Sequence, residues 1–248
     1  MALVVFNHET NWTESLKLDE RFVSMYGKDL RIKQRWKADG KGGSVIGFGA
    51  SVYPACILLV QFFESDMGNE FIRGKRCLEL GTGVGLGSIA AVLGGAMEVT
   101  CTDGDDSLLS LIEENSHRNL NRVQLKKLKI KRLLWDCKED YANLGDDGAD
   151  MLVFDVIFAS DIVACPYTAA YSALLNTFLY FCGVNPSCVI LISYKRRQET
   201  ESVFWDKFKE IFDVQEVSPD LFPGEFQGSQ SMGICECKWK SPPSNKQE

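Results

Sequence analysis

The run Cys77-Leu78-Glu79-Leu80-Gly81-Thr82-Gly83-Val84-Gly85-Leu86-Gly87 decides the fold of this 248-residue chain. It reads as a buried strand, a glycine-rich turn and the start of a helix. Glycines let a backbone turn tightly and approach a ligand closely. An acid, Glu79, stands two positions before the first glycine, and a second acid, Asp103, closes the next apolar run, Met97 to Thr102. In strand–turn–helix units of this kind the second strand presents its terminal carboxylate to ribose hydroxyls.

Spacing separates two ligand classes. A dinucleotide fingerprint requires G-x-G-x-x-G. Counted from Gly81 its last position is Leu86, from Gly83 it is Ser88, and from Gly85 it is Ala90, so no register fits. What fits is acid-x-G-x-G-x-G, from Glu79 through Gly85, the pattern of S-adenosylmethionine sites. The chemistry agrees. A pyrophosphate at a helix N-terminus wants no carboxylate beside it. S-adenosyl-L-methionine carries an ammonium and a sulfonium instead, and a nearby Glu79 suits both. The cofactor read from the sequence is therefore S-adenosyl-L-methionine, with S-adenosyl-L-homocysteine as product.

Composition narrows the class. The chain is 45% hydrophobic and 25% charged, an ordinary globular composition for one domain with additions. A net charge of -7 argues against nucleic-acid or anionic-membrane binding and leaves a protein partner open. No segment approaches the roughly 18 apolar residues of a membrane span. The N-terminus lacks a basic region and a cleavage site. Nine scattered cysteines with no export signal read as reduced thiols in the cytoplasm or nucleus. The two histidines, His8 and His117, neighbour no cluster of ligand-type residues, so no metal is expected.

Outward from the glycine turn, strands and helices alternate. Strands are predicted at Arg76–Leu80, Glu98–Thr102, Leu128–Leu134, Phe154–Ala159 and Cys188–Ser193, and helices at Gly85–Leu93, Asp106–Leu120, Tyr167–Phe181 and Gln198–Ile211. Asp105 or Asp106 would lie near the cap of the second of these helices. Ala50–Glu64 reads as an apolar helix with Ser51 at its N-cap, Lys138–Gly148 as a polar loop, and the basic run Lys126 to Arg132 as a strand near a sheet edge. Phe212–Val217 and Gly233–Trp239 would close the domain as a hairpin. Leu30–Lys37 reads as a strand paired with Arg21–Met25 or Gly43–Phe48. The fold class is α/β: a Rossmann-like, seven-stranded, mostly parallel sheet with helices on both faces, one antiparallel strand from the closing hairpin and an N-terminal β-hairpin. Residues 1–48 form the extension, 49–240 the cofactor-binding domain and 241–248 a disordered tail. Ligands in such sheets lie at the carboxyl ends of the strands. Those ends carry Glu79 to Gly85, Asp103, Trp135-Asp136 and Ser160-Asp161.

The chain resembles the seven-β-strand S-adenosylmethionine-dependent methyltransferases, and within them is similar to the family-16 group of protein lysine methyltransferases. The resemblance covers roughly Leu30 to Lys238. It is carried by Gly49 to Ala55, Phe71 to Gly81, Thr102-Asp103, Leu134-Trp135-Asp136 and Phe154 to Asp161. It implies methyl transfer to a lysine of a folded protein; members of the group modify elongation factors and chaperones. It places Tyr53, where the group usually has tryptophan, along the cofactor. After Asp161 the group usually shows an aromatic at the fourth position. Here that position is Ala164, and Tyr167 lies one helical turn later as a candidate wall of the lysine channel or a core residue.

Each role has a plainer rival. Gly81, Gly83 and Gly85, with Thr82 among them, would admit the cofactor backbone. Glu79 would sit near the methionine amino group or cap its own turn. Asp103 would accept ribose hydroxyls or cap the helix at Asp106. Trp135 would line the adenine pocket or fill the core, and Ser160 would meet the cofactor through its backbone. Asp161 would attract and orient an acceptor cation, or cap a helix. A lysine amine, with a reference pKa near about 10.4, arrives protonated and must shed that proton to become a nucleophile. Lys195-Arg196-Arg197 reads as a solvated loop or a docking rim. Methyl transfer to histidine or a small molecule, and cofactor binding without catalysis, remain alternatives. A monomer is expected.

Overall fold

Val156-Ile157-Phe158-Ala159 shows why the chain folds into layers. Successive side chains of a strand point to opposite faces. Val156 and Phe158 enter one hydrophobic core, while Ile157 and Ala159 enter another. An uninterrupted apolar run of this kind is what a strand covered on both faces requires. The structure is a computed structural model that describes residues 12–37, 47–145, 152–164, 169–197 and 201–240.

The first described elements are α1 (Trp12–Ser15), β1 (Glu20–Met25) and β2 (Lys28–Lys33). β1 and β2 form an antiparallel hairpin that pairs Arg21 with Ile32, so the first of the two expected partners is the one used. The Tyr26-Gly27 turn has φ of 48° and 67°, as a tight two-residue hairpin requires. Two helices follow, α2 (Pro54–Glu64) and α3 (Asp66–Ile72). α2 starts later than expected. Pro54 takes its first turn and Tyr53 its N-cap position, while the Ser51 hydroxyl donates to the Leu16 carbonyl at 2.7 Å instead of capping the helix.

The doubly wound core runs β3 (Arg76–Leu80), α4 (Leu86–Leu93), β4 (Glu98–Asp103), α5 (Asp106–Asn119), α6 (Arg122–Leu125), β5 (Leu128–Arg132), α7 (Lys138–Ala142), β6 (Val156–Ser160), α8 (Tyr171–Val184), β7 (Val189–Lys195) and α9 (Ser202–Ile211). β8 (Phe212–Glu216) and β9 (Met232–Trp239) complete it. The seven strands lie in the order β5-β4-β3-β6-β7-β9-β8. Only β9 runs against the rest, pairing antiparallel with β7 and β8. The basic strand β5 is the edge, as expected. Strand order reverses between β3 and β6, where a ligand crevice opens in sheets of this type.

A buried side chain helps fasten the N-terminal hairpin to this core. Asn115 of α5 accepts from the Lys33 amide at 2.8 Å and donates to the Lys33 carbonyl at 3.0 Å and to the Val84 carbonyl at 2.8 Å. It is wholly buried, so no water replaces those bonds. We expect Asn115→Ala to lower stability by about 2–4 kcal/mol, because three backbone groups lose their partner together. Urea unfolding of both proteins measures this, and a loss under about 0.5 kcal/mol would contradict the clamp.

Candidate functional site

The glycine turn is shaped first by its own surroundings. Gly81 and Gly83 have φ of 66° and 60°, in the left-handed region. A Cβ on Gly83 would lie 2.9 Å from the Gly49 carbonyl oxygen, and one on Gly81 would lie 2.9 Å from the Ile162 Cγ2 and 3.9 Å from the Trp135 ring. These glycines are thus demanded by the chain crossing the turn, beyond the close ligand approach that the sequence pattern implies. Thr82 is buried. Its hydroxyl accepts from the Thr102 amide at 3.0 Å and locks the turn to the neighbouring strand. Gly85 opens α4.

Asp103 stands at the end of β4, partly exposed, and accepts from the Gly83 amide at 3.0 Å and the Asp105 amide at 3.2 Å. The α5 cap is Asp105, which accepts from the Ser107 amide at 2.8 Å, so the capping role once open to Asp103 is filled by its neighbour. Burial pushes the Asp103 pKa up, against the pull of the amides. Each of its oxygens retains acceptor capacity for a hydroxyl.

Glu79 shares the strand face of Cys77, opposite Leu78 and Leu80, and so points beneath α4, where it is 1% exposed. Ser88 Oγ donates to it at 2.5 Å. This bond places the carboxyl behind the glycines. Burial raises its pKa from 4.5 to about 8, only partly offset by Ser88 and Thr82. The unfolded chain therefore releases this proton earlier than the folded one. Its stabilising contribution is fully present below 4.5 and is lost as pH rises through about 8. Glu79→Gln should flatten the fall in melting temperature across that window and melt higher than wild type above it. Melting curves at successive pH values test this; parallel curves would contradict the assignment.

Trp135 stands beside Gly81, on a corner built to hold it. Arg132 donates to both Asp140 oxygens at 2.9 and 2.8 Å, and Asp140 Oδ2 also accepts from the Leu134 amide at 2.8 Å. The Asp136 amide donates to Tyr141 Oη at 3.0 Å and Thr177 Oγ1 at 2.9 Å, with Asp136 itself at a φ of 61°. Tyr141 and Asp140 belong to α7, a helix inside the stretch expected to be a loop. Asn176 donates to Asp136 Oδ2 at 2.8 Å, so this acid serves the corner itself.

Across the crevice, Ser160 ends β6, and the Cys56 thiol is buried. Asp161 follows with a φ of 59°, a strained left-handed conformation in a non-glycine residue. Its amide donates to the Ser193 carbonyl at 2.8 Å. Among the described residues it caps no α-helix, since α8 begins at Tyr171. The Asp161 side chain is 9% exposed and receives a two-pronged bond from Arg197, which is 30% exposed. Burial first and the Asp161 charge second push the Tyr53 hydroxyl up to about 12, with Arg197 opposing. The charges of Asp161 and Arg197 thus both act on the Tyr53 hydroxyl. Tyr167 lies outside the described residues. Among those described, no group of three or more His, Cys, Asp or Glu residues could hold a metal.

Sequence reasoning left Arg197 in a docking rim or solvated loop. Only the neighbouring positions of β6 and β7 bring it to Asp161, pairing Ser160 with Ser193. Asn115 and Thr177 carried no signal at all, being polar residues in otherwise unremarked helix positions.

The strand ends suit S-adenosylmethionine. Asp103 fits ribose hydroxyls, Trp135 fits a purine face, and the Gly81–Gly85 turn lies between them. Solved structures agree on the fold. A 16S ribosomal RNA methyltransferase of T. thermophilus, in complex with AdoMet and guanosine, superposes with a TM-score of 0.56 at 17% identity, over 89% of this chain and 50% of that one. Fold and site define an S-adenosylmethionine-dependent methyltransferase. Residues 27–211 match the model of the lysine methyltransferase family, and the chain belongs to that family. It is 32% identical to the protein N-lysine methyltransferase METTL21A of Danio rerio over 191 residues, 77% of this chain and 78% of the relative. It is 34% identical over 172 residues to the protein-lysine methyltransferase METTL21E of Bos taurus, spanning 69% of this chain and 56% of that longer relative.

Proposed function

We propose that the methyl acceptor is a lysine side chain of a folded protein, and that the enzyme works as a cytoplasmic monomer. The observation that carries the acceptor is Asp161, a carboxylate largely shielded from solvent just past the end of β6, next to Ser160. A shielded carboxylate is a strong site for an ammonium group, because low local dielectric magnifies their attraction. When bound, S-adenosylmethionine supplies a methyl group on positively charged sulfur. Asp161 draws in the lysine cation and fixes the direction of its nitrogen. Desolvation between Tyr53 and the strand ends then favours the neutral amine, whose proton leaves to water. The neutral amine presents its lone pair.

Reduced thiols support the cytoplasmic reading: the eight cysteines among the described residues are free, and seven of them are buried. No helix among the described residues is long and apolar enough to cross a membrane.

The acceptor is tested by incubating the enzyme with labelled S-adenosylmethionine and a lysate from cells lacking it. A sharp labelled band with methyl on a lysine Nζ is expected. Methyl on histidine, or label only in the small-molecule fraction, would contradict the lysine reading.

A further inference from the structure

The carboxylate that would receive the acceptor is already paired within the chain. Arg197 Nη1 lies 2.7 Å from Asp161 Oδ1, and Arg197 Nη2 engages Oδ2. The guanidinium fork matches a carboxylate in both directions and positions, which makes this a demanding pair to break. Exposure differs across the pair, at 9% for the Asp161 side chain and 30% for Arg197. The arginine therefore stands on the solvent side, and a cation from outside reaches Asp161 through its place.

Arg197 also has somewhere else to go. It follows β7, and its own amide donates to Glu201 Oε2 at 3.3 Å. The Glu201 carboxylate acts on the same guanidinium. On the far side of Arg197 opens a groove of about 550 Å³, lined by Tyr194, Glu201, Trp205 and Glu216 among others. Arg196 already engages Glu216 and the Tyr194 ring there, so the destination for Arg197 is the Glu201 side of the groove and the Trp205 face, chemistry suited to a guanidinium.

We infer that Arg197 is a specificity-determining gate: an internal cation that occupies Asp161 and must be exchanged for the acceptor's ammonium, swinging toward Glu201 and the groove beside α9. This rests on the lysine reading above. Exchange sets a threshold. An acceptor held by a docked folded protein has binding energy to displace the arginine, whereas a free amine has little. The apparent affinity for any cation is reduced by the fraction of molecules in which Asp161 is open. Arg197 thereby excludes lysine side chains that arrive without the rest of their protein.

The test uses the full chain loaded with S-adenosylhomocysteine, and N-acetyl-lysine methylamide as the cation probe, with affinity read by calorimetry. Arg197→Met should bind the probe at least about tenfold more tightly than wild type. Arg197→Lys, which keeps the charge but loses the fork, should fall between them. Adding Asp161→Asn to Arg197→Met should abolish the gain. Equal probe affinity in wild type and Arg197→Met, with S-adenosylhomocysteine affinity retained, overturns the gate. If Arg197→Met fails to fold, Arg197→Lys carries the decision, and an unchanged probe affinity there overturns it equally. With S-adenosylmethionine, methyl transfer to the probe by Arg197→Met supports gate and lysine reading together. Tighter probe binding without transfer supports the gate and contradicts the lysine reading.

Discussion

Asp103→Ala is expected to weaken S-adenosylmethionine binding by about 100-fold or more. Two losses add. The carboxylate is the group at the end of β4 able to accept from ribose hydroxyls, and hydrogen bonds to a charged acceptor are worth roughly 1.5–3 kcal/mol each. The same carboxylate holds the glycine turn in shape through the Gly83 and Asp105 amides. Removing it leaves two amides without that partner, so a fall in stability of about 1–2 kcal/mol should accompany the loss of affinity. Asp103→Asn should fall between, since its one amide oxygen can replace only one of the two acceptors facing the Gly83 and Asp105 amides and carries no charge. Calorimetric titration checks both variants. An Asp103→Ala protein that binds the cofactor as wild type does would remove Asp103 from the site.

Asp161→Asn should have the opposite profile. Turnover is expected to fall by about 100-fold or more, while cofactor affinity stays within about twofold. The substitution removes the charge and also loosens the pair with Arg197, so melting temperature is read beside turnover. Asn, like Asp, tolerates the left-handed backbone, and the φ of 59° at this position needs a residue that does. Asn keeps the size and removes the attraction for an ammonium group. Initial rates at saturating cofactor, with acceptor concentration varied, read the effect. Activity equal to wild type would sink the role given to Asp161.

What could be read in advance follows from how far each feature reaches along the chain. The sheet was legible because β3, β6 and β7 must be apolar on both faces, and a run such as Val156 to Ala159 announces that directly. The glycine turn was legible because turn chemistry is local: Glu79, Gly81, Thr82, Gly83 and Gly85 lie within seven consecutive positions. Glu79 shows the limit of such reading. Its residue type and spacing are plain, but its direction depends on strand phase, which turns it beneath α4 toward Ser88. Short helices escaped for another reason. α3 and α7 have 7 and 5 residues, too few for a helical period to stand out. The start of α2 was misplaced because Ser51 has the right chemistry for a cap, while Pro54 sets the first turn and the Ser51 hydroxyl finds Leu16. Arg197 was unreadable as part of the site. It lies 36 residues from Asp161, and only the adjacency of β6 and β7 brings the two together.

The most direct test of the account runs wild type, Asp103→Ala and Asp161→Asn side by side, measuring S-adenosylmethionine affinity and methyl transfer to the labelled protein from the lysate. The account predicts a double separation: Asp103→Ala loses affinity, while Asp161→Asn keeps affinity and loses transfer. Loss of cofactor affinity in Asp161→Asn, or its retention in Asp103→Ala, would contradict the division of the crevice into a cofactor side at β3 and β4 and an acceptor side at β6.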